Sequence, residues 1–169
     1  MRAITSLFLS MALAVALWAP AGAALALDSG ERMPEIGLTD LSGKKVTAAG
    51  LKGKVVIVDF WASWCAPCKE EMPVLQRLHK TYGSKGLVVV GVSVDNDASN
   101  VKSFLKKLGV TFPIVHDAKH SVSERYSPPT MPSSYIVDRK GIVRHVHKGF
   151  RAGDAKKMEA EVKALLAAK

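Results

Sequence analysis

The chain has 169 residues, 48% hydrophobic and 23% charged, with 24 Lys plus Arg against 15 Asp plus Glu for a formal net charge of +9. A single domain of this length buries about two thirds of its unfolded surface, so it needs neither a disulfide scaffold nor a structural metal, and the composition excludes a disordered tail or a collagen-like repeat. Two cysteines, Cys65 and Cys68, also exclude a cysteine-rich framework and an all-thiolate zinc site.

The chain opens on Met1 and Arg2, followed by an apolar run from Ala3 to Trp18 broken only by Thr5, Ser6 and Ser10, with small residues after Pro20. This is the layout of a secretory signal peptide. The run falls short of the roughly 20 residues a membrane span needs and Pro20 interrupts it, which favours cleavage over anchoring. Small-x-small sites lie after Ala23 and after Ala26; the second is preferred, so residues 1–26 are expected to leave and 27–169 to form one domain. The expected location is the periplasm or another extracytoplasmic compartment.

Along that domain, Asp40 to Val46 reads as a turn between two short strands. Val55 to Phe60 is a nearly continuous apolar run, as in a strand buried on both faces. Met72, Leu75, Leu78, His79 and Tyr82 recur at helical spacing and stop at Gly83; Leu87 to Val94 is a second buried strand. Val101, Phe104, Leu105 and Leu108 form a helical stripe ending at Gly109, and Phe112 to Val115 suits a short strand. Tyr135–Val137 and Ile142–Val146 flank Asp138-Arg139-Lys140-Gly141 as a hairpin. Asp154 reads as the N-cap of a last helix with Met158, Val162, Leu165 and Leu166 on one stripe. The pattern is α/β, with a βαβ unit, no repeat and no inter-domain linker.

Phe60-Trp61-Ala62-Ser63-Trp64 closes the first buried strand, and Cys65-Ala66-Pro67-Cys68 opens the next helix. A sulfur at a helix N-terminus meets unsatisfied N–H groups and the positive end of the dipole, which favour thiolate over thiol. Cys65 is therefore the candidate nucleophile. Cys68 lies one turn on, close enough for a disulfide, and Pro67 is tolerated in a first turn where its missing N–H has no intrahelical partner. So short a loop is a poor staple, because stabilisation grows with loop length. The chemistry that follows is exchange: Cys65 attacks a partner's disulfide, a mixed disulfide forms, and Cys68 resolves it.

Residues 58–69, Val-Asp-Phe-Trp-Ala-Ser-Trp-Cys-Ala-Pro-Cys-Lys, closely resemble the active-site segment of thioredoxins, and the likeness extends to Pro73, where thioredoxins carry a helix-kinking proline. The signal peptide, Thr39 to Lys44, Cys68-Lys69-Glu70-Glu71-Met72-Pro73 and the Asp138–Gly141 turn look more like the exported TlpA/ResA-type thiol-disulfide oxidoreductases. The resemblance implies a thioredoxin fold: a central mixed β-sheet flanked by helices, with an N-terminal β-hairpin extension. It also implies a reductant of protein disulfides, kept reduced by a membrane donor of the DsbD/CcdA kind and serving cytochrome c maturation or another thiol-dependent process. A monomer without cofactor is expected.

Asp59 sits inside the apolar strand six residues before Cys65, where an unpaired charge is costly. In thioredoxins the matching aspartate lies beneath the resolving cysteine and handles its proton; the TlpA/ResA type often has asparagine there, so this chain departs from that type. Glu71, three residues after Cys68 on the same helix face, stands where ResA-like proteins use a glutamate for the same task. Asp59 is expected to be the main proton acceptor for Cys68, with Glu71 assisting. Pro132 alone would be a turn proline, and Pro128 and Pro129 compete with it, but it directly precedes a strand pattern where thioredoxin-like folds place a cis-proline opposite the cysteines. The resemblance then puts Trp64, Ala66, Pro67, Met131 and Pro132 in contact with substrate. Ser133-Ser134 stands where threonine or a small residue is commoner, which leaves substrate preference open.

Two rival functions remain. Peroxiredoxins resemble one another in carrying Thr three residues before the peroxidatic cysteine, a place held here by Ala62. A copper-binding thiol chaperone would use the sulfurs as ligands. His145 and His147 project to one side of a strand, but the sequence offers no third ligand, and no metal site is expected. Basic residues are spread out, with only the doublets Lys44-Lys45, Lys106-Lys107 and Lys156-Lys157, so no nucleic-acid groove is expected. Trp18 should leave with the signal, and Trp61 and Trp64 both flank the cysteines in sequence. Intrinsic fluorescence is expected to differ between oxidised and reduced mature protein, and identical spectra would count against this placement.

Overall fold

The computed structural model describes residues 26–168. Residues 1–25 of the expected signal segment lie outside the described residues, within which no helix is long and apolar enough to cross a membrane. The centre is β3 (Val55–Trp61), all seven residues of which are buried. It runs parallel to β4 (Leu87–Ser93), pairing from Val55↔Leu87 to Trp61↔Ser93. Parallel strands covered on both faces are near-continuous in apolar residues, which is what both runs show. The short strand β5 (Ile114–His116) continues the parallel side, while β6 (Ser133–Val137) pairs antiparallel with β3 and β7 (Val143–Lys148) with β6. The sheet order is thus β5-β4-β3-β6-β7. A separate hairpin of β1 (Leu38–Thr39) and β2 (Lys45–Val46) precedes it. Its turn is closed by Asp40, whose Oδ1 accepts from the Ser42 and Lys44 amides and the Ser42 hydroxyl.

Strand alternation divides β3 between two cores. Val55, Ile57 and Trp61 face α1 (Ala66–Tyr82), α2 (Ala98–Leu108) and α4 (Asp154–Ala167), meeting Met72, Leu75, Phe104, Met158 and Val162. Val56, Val58 and Phe60 face α3 (Ser121–Tyr126) and the N-terminal segment, where Phe60, Tyr126 and Tyr135 form an aromatic cluster with centroids 5.0 to 5.8 Å apart. This is the mixed sheet with flanking helices and N-terminal hairpin expected from the sequence.

The departures have physical reasons. The strand expected over 112–115 lies at 114–116, because Phe112 is drawn into the core and Pro113 has no N–H for a ladder. Asp154 is not the N-cap of α4: Gly153 caps it at φ 105°, which favours glycine, and the Asp154 carboxylate accepts the Arg151 N–H at 2.7 Å. Helix α3 was not anticipated. It lacks an apolar stripe of useful length and is started by the buried Asp117 carboxylate, which accepts from the amides of Val122 and Ser123.

Gly91 of β4 lies opposite Asp59 and Ile114. A Cβ there would fall 2.5 Å from Ile114 Cδ1, 3.0 Å from Trp61 Nε1 and 3.2 Å from Phe112 Cε2. Gly91→Ala should therefore cost about 1–3 kcal/mol through overpacking. Urea unfolding of the variant and the wild type measures it, and equal midpoints would show that the three side chains yield freely.

Candidate active site

The β3–α1 connection is held from below. Trp61 O accepts from the Val94 amide at 3.0 Å, and Ser63 donates its amide and hydroxyl to the Asp95 carboxylate at 2.9 and 2.6 Å. Asp95 is 2% exposed and also accepts from the Ser93 hydroxyl at 2.9 Å. Sequence reading missed Asp95; the available signal was an acid just past a buried strand, with Ser93 close by. Trp61 is buried and stacks on Phe104 at 4.9 Å with its Nε1 unpartnered, whereas Trp64 is 69% exposed.

That tie delivers Cys65 to the N-cap of α1, where its Sγ accepts the Cys68 amide hydrogen at 3.3 Å. Ala66 and Pro67 fill the first turn, with Pro67 where no intrahelical donor is needed. The two sulfurs form a disulfide of 2.08 Å across a Cα–Cα distance of 5.3 Å. Cys65 is 5% exposed and Cys68 1%, so Cys65 is the more accessible of the two. The sulfur thus sits at a helix N-terminus, where backbone N–H groups without intrahelical partners favour negative charge.

The Met131–Pro132 peptide is cis, and Pro132 is buried at the head of β6. Its carbonyl accepts from Gly149 at 2.8 Å, and Met131 packs against both cores, including the one containing the two cysteines.

Asp59 and Glu71 are both buried, on β3 and α1, and the structure joins them through a residue the sequence did not single out for them. Ser134 Oγ lies 2.9 Å from Asp59 Oδ1 and 2.7 Å from Glu71 Oε1, while Glu71 Oε2 has no partner. Burial pushes the Asp59 carboxyl up to about 7, against the lowering effect of the Ser134 hydrogen bond. Burial, then repulsion from Asp59, pushes Glu71 up to about 9; Ser134 opposes this and Asp154 adds to it.

His145 and His147 do share one side of β7, and Glu161 of α4 lies between them, 3.4 Å from His145 Nδ1 and 2.6 Å from His147 Nε2. Among the described residues, no group of three or more His, Cys, Asp or Glu is arranged to hold a metal ion.

Comparison with known proteins agrees with this geometry. The model of the Redoxin family matches residues 28–166. The chain is 37% identical over 126 residues to the thioredoxin-like protein YneN of Bacillus subtilis, covering 73% of each chain. It is 36% identical over 114 residues to the thiol-disulfide oxidoreductase ResA of Bacillus cereus, covering 68% of this chain and 66% of that protein. A crystal structure from Chlorobium tepidum, assigned as a thiol:disulfide interchange protein DsbE, superposes with a TM-score of 0.80 at 34% identity, over 84% of this chain and all of that one.

The raised acids predict a pH dependence of stability. Folding lifts both groups, so the folded state keeps protons that the unfolded chain gives up above about pH 4. Their contribution is complete below that pH and is lost as pH rises through about 7 and then about 9. Urea unfolding of the oxidised protein across this range should show falling stability, with a shallower fall in the Asp59→Asn/Glu71→Gln variant. Parallel curves would contradict the burial of charge described above.

Proposed function

The chain belongs to the Redoxin family and is a thiol-disulfide oxidoreductase of thioredoxin fold, and from that premise we propose that it acts outside the cytoplasm as a reductant of protein disulfides. The observation that carries the mechanism is the Cys65–Cys68 disulfide at the start of α1, with Cys65 outermost and Cys68 on the same helix as buried Glu71.

In this reading Cys65 thiolate attacks a client disulfide, and one client sulfur leaves with the electron pair. Cys68 gives its proton to Asp59, attacks Cys65 Sγ and releases the second client sulfur. Two electrons pass from the enzyme to the client, whose two sulfurs leave as thiolates and are protonated from solvent, while the Cys68 proton stays on Asp59 until it too is released to solvent. Asp59 is the acceptor, and Glu71, whose buried Oε2 has no partner to stabilise a charge, stays protonated beside it. Trp64, Ala66, Pro67, Met131 and Pro132 form the contact surface for the client backbone.

Export rests on the signal-like layout of residues 1–26, with 27–169 as the mature domain. A membrane donor of the DsbD/CcdA kind and a client in cytochrome c maturation rest on the TlpA/ResA resemblance carried by the signal-like segment and residues 39–44, 68–73 and 138–141, and the protein works as a monomer. The test is a trap. Cys68→Ser expressed in the native host should accumulate reductant-sensitive adducts on Cys65 that identify the client, while Cys65→Ser should accumulate none. A Cys68→Ser protein recovered without adducts would overturn the exchange mechanism.

A further inference from the structure

The hydrogen count at Ser134 does not close if Asp59 and Glu71 are both ionised. A hydroxyl has one hydrogen to donate, yet Ser134 Oγ is within hydrogen-bond distance of a carboxyl oxygen on either side, at 2.9 and 2.7 Å. With two carboxylates, one contact would set lone pair against lone pair between buried groups, which is costly. One carboxyl must supply the missing hydrogen. Glu71 is the better holder: its contact is the shorter, and its Oε2 has no partner to stabilise charge.

We infer that Ser134 is a positioning residue that joins Asp59 and Glu71 into a single proton-sharing unit, oriented Glu71 to Ser134 to Asp59, which presents one carboxylate to Cys68. This rests on the proposed role of the acids in deprotonating Cys68. The Ser134 hydroxyl bonds the two acids and neither sulfur; it acts by holding the Asp59 carboxylate in its ionised, oriented form. The backbone enforces the arrangement, because Asp59 and Ser134 are direct partners in the β3–β6 ladder and so share a face. During resolution the Cys68 S–H bond breaks and its proton bonds to Asp59. The sulfur's electron pair forms the bond to Cys65 Sγ, and the client sulfur leaves with the pair of the broken mixed disulfide and is protonated from solvent.

Gly91 of β4 presents no side chain opposite Asp59, α2 contributes Val101 and Phe104 to this core, and Asp154 at the start of α4 adds negative charge. His147 of β7 stands directly opposite Ser134, but its Nε2 is engaged by Glu161 of α4. Among the described residues, no salt bridge from Lys or Arg reaches Asp59 or Glu71.

The test is the pH profile of the rate at which Cys68 resolves a preformed mixed disulfide between Cys65 and a small aromatic thiol. Ser134→Ala removes the hydrogen bond that favours the Asp59 carboxylate. The midpoint should move up by about one pH unit, with resolution about three- to tenfold slower at neutral pH. Ser134→Thr, which keeps the hydroxyl, should restore the wild-type profile. A profile unmoved in Ser134→Ala but altered in Asp59→Asn would overturn the Ser134 inference alone. Profiles unmoved in Ser134→Ala, Asp59→Asn and Glu71→Gln would overturn the acid reading and the inference together. Independently of any Ser134 variant's folding, infrared spectroscopy of oxidised wild type at neutral pH should show a protonated-carboxyl band that disappears in Glu71→Gln; its absence would overturn the assigned orientation.

Discussion

Asp59 is held by its backbone on both edges of β3, paired with Gly91 of β4 and Ser134 of β6, and strand alternation turns its side chain toward α1. It cannot reach solvent, and isolating an ionised carboxylate in such surroundings costs several kcal/mol. The protein meets this constraint with a hydroxyl and a second acid rather than with a lysine or arginine. A buried salt bridge would lock the charge in place. A shared proton leaves the charge free to change, which suits a site where disulfide exchange releases or takes up a proton.

The same strand determines where the sulfurs stand. β3 ends at Trp61, the Ser63–Asp95 hydrogen bonds hold the connecting loop, and Cys65 becomes the N-cap of α1. The large Trp61 indole fits beneath this loop because Gly91 leaves room for it and Phe104 stacks on it. The helix start, with its free amides, is thereby set against packed residues of the sheet and α2. Exposed Trp64 stands apart from this packing.

Much of this was legible in the chain. The apolar runs 55–60 and 87–94 lie within one residue of the observed strand ends, and Gly109 ends α2 in the left-handed region as a helix stop should. The N-cap of α4 was misread because both Gly153 and Asp154 are capping residue types, and which of them stands outside the helix depends on the chain path from β7. Helix α3 was missed because its start is a side chain–backbone cluster on Asp117, not a hydrophobic period.

The sequence by itself determined the sheet-forming runs, the helical stripes and the place of Cys65-Ala66-Pro67-Cys68 between a buried strand and a helix start, because period, helix initiation and the spacing of the two cysteines are local properties of the chain. It also singled out Asp59, since a charge inside an apolar strand is conspicuous without coordinates. Tertiary structure alone decided what that charge meets. Ser134 is 75 residues from Asp59 and 63 from Glu71, and Asp95 is 32 from Ser63. Such contacts arise from strand register and from the docking of helices on the sheet, and no spacing along one chain encodes which buried hydroxyl will stand between two acids.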